Sequence, residues 1–192
     1  GKGLFDGQTT PDVIARCCAA GKSVIVDPKG SDYSRYKGAT LVKPNMKEFQ
    51  EATGVTLNPS ATGWERDAIA GAQRLFSEFG IENLLVTLSE HGMIFIPSSN
   101  PSDFVCIPTE AREVFDVSGA GDTSLASLGA ALAAGATVPE ALVVSNVAAG
   151  IVVGKFGTAS VTGAELKKAL EEKALKASSW HHRNNIPVSY TH

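Results

Sequence analysis

A chain of 192 residues with 43% hydrophobic and 19% charged residues has the make-up of an ordinary globular domain. Its net charge of −3 offers no basic field to hold nucleic acid or an anionic membrane. The most apolar stretches, 129–136 and 141–153, are broken by Gly, Pro, Ser or Asn and fall short of the ~20 residues that span a bilayer.

Elements alternate along the chain. Thr10 is expected to cap a first helix, with Pro11 at its first position and Gly21 past its end. The apolar run Val24–Val26 predicts a buried strand, closed by the turn Asp27-Pro28-Lys29-Gly30. Leu41-Val42 predicts a second strand, and a helix follows from about Asn45 to Thr53, stopped by Gly54. A longer helix over 63–79 carries a predicted apolar stripe of Ile69, Ala72, Phe76 and Phe79. Leu84–Thr87 and Met93–Ile96 read as strands around Gly92, with Phe104–Ile107 as an antiparallel neighbour. Val114-Phe115 predicts a short strand leading into a glycine turn at Gly119. Helices are expected over 121–134, 137–153 and 162–177, the last two opened by the capping boxes Thr137…Glu140 and Thr162…Glu165. Beyond Lys176 periodicity stops, so 177–192 are expected to be a disordered or non-native tail. Alternating strands and helices predict an α/β protein with a mostly parallel sheet.

Cys17, Cys18 and Cys106 are too few and too badly spaced for a disulfide framework, which predicts reduced thiols in a cytoplasmic protein. The four histidines show no metal-ligand spacing.

The segment DVSGAGDT, Asp116 to Thr123, carries the chemistry. Gly119 and Gly121 permit backbone angles and close approach that a side chain would forbid. The amides of Gly119, Ala120 and Gly121 would then open a helix, where main-chain donors and the helix dipole favour an anion. Asp122 adds a carboxylate beside that anion, and donors plus a proton acceptor are what phosphoryl transfer requires. The same residues also suit a plain strand-to-helix turn with an acidic first turn. Ser124 in the third glycine position departs from a dinucleotide fingerprint, and no Walker A sequence occurs.

DVSGAGDT resembles the C-terminal signature of the PfkB/ribokinase family of carbohydrate kinases, and five further blocks match in order. Val26–Gly30 resembles the strand end near the nucleotide phosphates, and Lys43–Glu48 resembles the family's NxxE motif. Val86–Gly92 resembles its nucleotide-contacting VTLGxxG segment, with Ser89 where glycine is commoner. Ser145–Gly150 and Val153–Thr158 resemble the closing helix and the adenine-side loop. Within the family, DPKGxDxxRYxGATLxxPNxxEF and VVGKFGT are most similar to the D-glycero-β-D-manno-heptose-7-phosphate kinases, which occur alone or fused to an adenylyltransferase.

The resemblance implies a ribokinase-like three-layer α/β/α fold, of which 1–176 would be the C-terminal portion, truncated at the N-terminus and with little activity alone. It implies ATP and Mg²⁺ as cofactors, a sugar phosphate as substrate, a homodimer in the full-length bacterial enzyme, and a place in lipopolysaccharide-core synthesis. By resemblance Asp122 is the catalytic base for the anomeric hydroxyl, and the amides of Gly119, Ala120 and Gly121 hold the moving phosphoryl group. Asn45 and Glu48 would organise Mg²⁺ through water, and Asp116 would bind a monovalent cation such as K⁺. Lys29, Thr87, Ser89, Gly92, Asn146, Lys155 and Gly157 would contact the nucleotide. Other readings stay open: a helix-capping pair for Asn45 and Glu48, a solvated turn lysine for Lys29 and a hairpin residue for Gly92. Lys155 also suits a helix end, and Asn146 a core polar group. For the whole chain the alternatives are a kinase for another sugar or nucleoside, or a nucleotide-binding module without catalysis.

Overall fold

The computed structural model describes residues 7–109, 119–157 and 159–184, with side chains to 174. The chain divides into two compact units, Gly1–Thr109 and Glu110–His192.

In the first unit, α1 (Thr9–Ala19) is followed by β1 (Ile25–Val26) and β2 (Leu41–Val42). Next come α2 (Met46–Thr53), α3 (Trp64–Phe79), β3 (Asn83–Thr87), β4 (Met93–Pro97) and β5 (Val105–Ile107). The five strands lie in sequence order. β1 to β3 are parallel, whereas β4 runs antiparallel to β3 and β5 antiparallel to β4. The sheet is therefore mixed rather than mostly parallel. Its two reversals arise because the turn at 88–92 and the Ser/Asn/Pro-rich segment 98–103 are too short for a crossover helix.

Leu84, Val86, Ile94 and Ile96 enter a core cluster with Phe49 of α2, Ala72 and Leu75 of α3, and Tyr33 and Tyr36. Gly71 of α3 lies against the Phe49 ring: a Cβ built there would stand 2.5 Å from its Cζ. The fully buried positions of α3 are Ala68, Gly71, Ala72 and Leu75, while Ile69, Phe76 and Phe79 are only partly buried. The buried face is thus rotated from the predicted stripe, because the small residues let α3 approach α2 and the large ones flank the contact. Gln8, not Thr10, stands at the N-cap of α1, with its carbonyl accepting the Asp12 N–H at 3.1 Å.

The second unit holds α4 (Ala120–Ala133), α5 (Val138–Val153) and α6 (Gly163–Asn184). Ser124 and Leu128 of α4 and Ala141, Ser145, Ala148 and Val152 of α5 are buried at helical spacing. Both predicted capping boxes form, with Glu140 accepting from the Thr137 N–H and Glu165 from the Thr162 N–H, each at 2.8 Å. α6 continues to Asn184, past the end near 177 read from its periodicity; 185–192 lie outside the described residues. So do Val114, Phe115 and Asp116.

Candidate active site

Parallel sheets bind ligands beyond the carboxyl ends of their strands, and in the first unit those ends gather the polar residues. Asp27 follows β1, Lys43 to Asn45 follow β2, and Thr87 ends β3. Main-chain bonds keep the ends together: the Lys43 N–H donates to the Val26 carbonyl at 2.8 Å and the Thr87 N–H to the Pro44 carbonyl at 3.0 Å. Asn45 and Thr87 also form a parallel bridge.

Asn45 and Glu48 make a complete capping box. The Glu48 N–H donates to Asn45 Oδ1 and the Asn45 N–H to Glu48 Oε2, both at 2.9 Å. The other Glu48 oxygen accepts from Lys29 Nζ at 3.1 Å. The two residues are therefore a helix start that also presents a carboxylate to the strand ends. Lys29 Nζ lies 3.3 Å from Asp27 Oδ2, and Asp27 Oδ1 lies 3.0 Å from Lys43 Nζ. Partial burial pulls the Lys29 ammonium down, but the hydrogen bonds and charges of Glu48 and Asp27 outweigh it and hold its pKa above the ordinary lysine value. Lys29 is paired rather than simply solvated. Asp27 was expected only as a turn residue and Lys43 only as the start of the NxxE block; the signal for more was a lysine between an apolar strand and a proline, a place where its head must find a charge if it is buried.

The strand β3 runs into a tight turn. Ser89 holds φ at 53°, the left-handed region that glycine favours. Gly92 has φ 87°, and a Cβ there would run into the Ile107 carbonyl oxygen and stand 2.8 Å from Pro108 C and Thr109 N. The close pass of β5 accounts for the missing side chain, and the Leu88 N–H closes the turn on the Gly92 carbonyl at 2.8 Å.

In the second unit, Gly119 enters α4 at φ 79° and brings no side chain to cap it. Ala120, Gly121 and Asp122 form the first turn, with Asp122 exposed. Below that turn the Ser145 hydroxyl donates to the Ser124 carbonyl at 2.9 Å, and the two hydroxyls lie 2.7 Å apart in the buried contact of α4 with α5. Asn146 is also buried. Lys155 Nζ lies 2.7 Å from Glu165 Oε1 and donates to the Ser160 carbonyl at 2.8 Å, tying the loop that carries Gly157 to the start of α6. The Lys155 hydrogen bond first, then the Thr162 N–H and hydroxyl, hold the Glu165 carboxyl down at about 2.

The pfkB family of carbohydrate kinases matches residues 7–165. The chain belongs to this family. The bifunctional protein HldE of Paramagnetospirillum magneticum is 51% identical over 175 residues, which is 91% of this chain and 34% of that protein. The Shewanella sediminis protein of the same name is 49% identical over 159 residues, 83% of this chain and 32% of its own length. The chain thus spans about a third of the curated relatives it matches. Among solved structures, Arabidopsis thaliana ribokinase complexed with ribose and ATP aligns with a TM-score of 0.72 at 21% identity, over 84% of this chain and 52% of that one. Escherichia coli phosphofructokinase-2 in complex with potassium aligns with a TM-score of 0.71 at 20% identity, over 87% and 52%. These likenesses show a ribokinase-like fold.

Kinases of the pfkB family are expected to work with ATP and a divalent metal, and the donor set bears on how a metal would be held. Among the described residues no group of three or more His, Cys, Asp or Glu is placed to cage an ion. Both Glu48 oxygens and Asn45 Oδ1 already accept hydrogen bonds, and each keeps a lone pair for a water. The residues present fit a hydrated divalent ion carried by nucleotide phosphates, not an ion bound by protein alone. No helix among the described residues is long and apolar enough to cross a membrane.

Proposed function

We propose that this chain takes part in ATP-dependent phosphorylation of D-glycero-β-D-manno-heptose 7-phosphate at its anomeric hydroxyl, giving the 1,7-bisphosphate. The observation that carries the reading is the left-handed Gly119 at the mouth of α4 with Asp122 exposed in the first turn. The choice of sugar rests on the blocks 27–49 and 152–158 and on the identity to the HldE proteins over most of the chain.

Asp122 takes the proton of the attacking hydroxyl, and a positioned base contributes about 10²–10⁴-fold. A carboxylate suffices because a loose transition state releases that proton late. The amides of Gly119, Ala120 and Gly121 receive the charge gathering on the transferred group, each good donor being worth about 3 kcal/mol. The buried Ser145–Ser124 bond anchors the base of that turn. Lys29 meets a nucleotide phosphate at the strand ends. Asn45 and Glu48 hold Mg²⁺ through water, and the ion when bound neutralises phosphate charge. Thr87, Ser89 and Gly92 line the nucleotide side of the β3 turn. Lys155, fixed by Glu165, shapes the loop that carries Gly157 beside the adenine, and Asn146 contacts the nucleotide from α5.

The test places this chain in the Paramagnetospirillum magneticum protein in place of the segment it matches. ATP and heptose 7-phosphate should yield ADP and a bisphosphate visible by phosphorus NMR, with ribose and fructose 6-phosphate turned over at least 100-fold more slowly. Equal rates on all three sugars would remove the heptose assignment, and no ADP with any of them would remove the kinase.

A further inference from the structure

Lys43 is almost wholly buried, its side chain 4% exposed, and a buried ammonium is costly unless a counter-charge reaches it. Its ion-pair partner is Asp27, whose Oδ1 lies 3.0 Å away. The other oxygen of the same carboxylate faces Lys29 Nζ at 3.3 Å. Lys29 differs in kind: its side chain is 63% exposed, yet both ends are held. Its main chain is gripped by the Tyr36 hydroxyl, which accepts from the Lys29 N–H at 2.9 Å and lies 3.2 Å from the Lys29 carbonyl. Its ammonium sits between Asp27 and Glu48. A free lysine head loses rotamer freedom when it grips a ligand, and this one has lost much of that freedom beforehand.

The charge balance shows what Lys43 adds. Two carboxylates and two ammonium groups leave the cluster neutral. Without Lys43, the lone ammonium of Lys29 would face both carboxylates, and the cluster would carry −1 and repel phosphate. We propose that Lys43 is a positioning residue for Lys29: by occupying one oxygen of Asp27, it lets that carboxylate aim Lys29 without cancelling the positive charge offered to a phosphate. Lys43 acts through Asp27 and does not touch the ligand. The inference rests on the reading that Lys29 meets a nucleotide phosphate.

The experiment measures metal-free ADP affinity of the chain by calorimetry, with thermal melts to follow folding. Lys29→Met should weaken ADP at least tenfold. Lys43→Met, which keeps side-chain volume, should weaken it about tenfold with a melting curve still cooperative. Adding Asp27→Asn to Lys43→Met restores neutrality and should recover most of the lost affinity. If Lys29→Met weakens ADP and Lys43→Met does not, the positioning role is overturned while the nucleotide site stands. If the double variant stays as weak as Lys43→Met, Lys43 contacts the phosphate itself and the inference is again overturned. If Lys29→Met leaves ADP affinity unchanged, the phosphate role of Lys29 falls and takes the inference with it.

Discussion

Ser89 holds a left-handed backbone that costs a residue with a Cβ about 1–2 kcal/mol, part of which glycine returns as greater unfolded-state freedom. Ser89→Gly is therefore expected to stabilise the chain by about 0.5–1 kcal/mol, read as a higher denaturation midpoint. Gly92→Ala has the opposite sign, because the methyl group has nowhere to go but the Ile107 carbonyl. A loss of about 2–4 kcal/mol is expected in the same assay. The sequence flagged both positions through a motif in which Ser89 replaced a commoner glycine, but the reason is a backbone angle at one and a neighbouring strand at the other. Glu165 supplies a pH prediction. Its carboxyl is held near 2 against an ordinary 4.5, so its contribution is complete above pH 4.5 and fades as pH falls toward 2. Carboxyl NMR should place its midpoint near 2, and Lys155→Met should move that midpoint upward; a midpoint unmoved by the substitution would remove Lys155 as the main cause.

At the scale of elements, α3 meets α2 where Gly71 faces Phe49. Alanine is worth about 1 kcal/mol more than glycine in a helix, but overpacking a closed core costs about 1–3 kcal/mol. Phe49 is fully buried and has no open side to move into, so Gly71→Ala should destabilise by about 1–2 kcal/mol in denaturant melts. A stabilised variant would mean the ring can yield. Caps, glycine stops and apolar runs were legible, since α2, α3 and α5 begin and end where local residues dictate. The buried face of α3 was not, because large residues dominate a periodicity argument while small ones decide how closely helices approach. The sheet direction was legible only in part: hydrophobic runs mark strands, and loop length decides whether the next strand reverses. Asp27 and Lys43 were hidden for a related reason. Their roles depend on parallel strand ends drawn level by β1–β2 pairing, which no local pattern announces.

At the scale of the molecule, the residues proposed to face phosphate divide between two units, Lys29, Asn45, Glu48 and Thr87 in the first and Gly119 to Asp122 in the second. The family blocks were read as one domain portion over 1–176, so the division into two compact units was not legible in them. The central claim is that Asp122 is the base beside the Gly119 turn. Its most direct test is kcat for heptose 7-phosphate phosphorylation by the Paramagnetospirillum magneticum chimera, with Asp122→Asn set against the parent. The substitution should lower kcat about 10²–10⁴-fold with ATP affinity changed less than about twofold, since asparagine keeps the shape and loses the proton acceptor. An unchanged kcat, or a loss confined to ATP affinity, would contradict it.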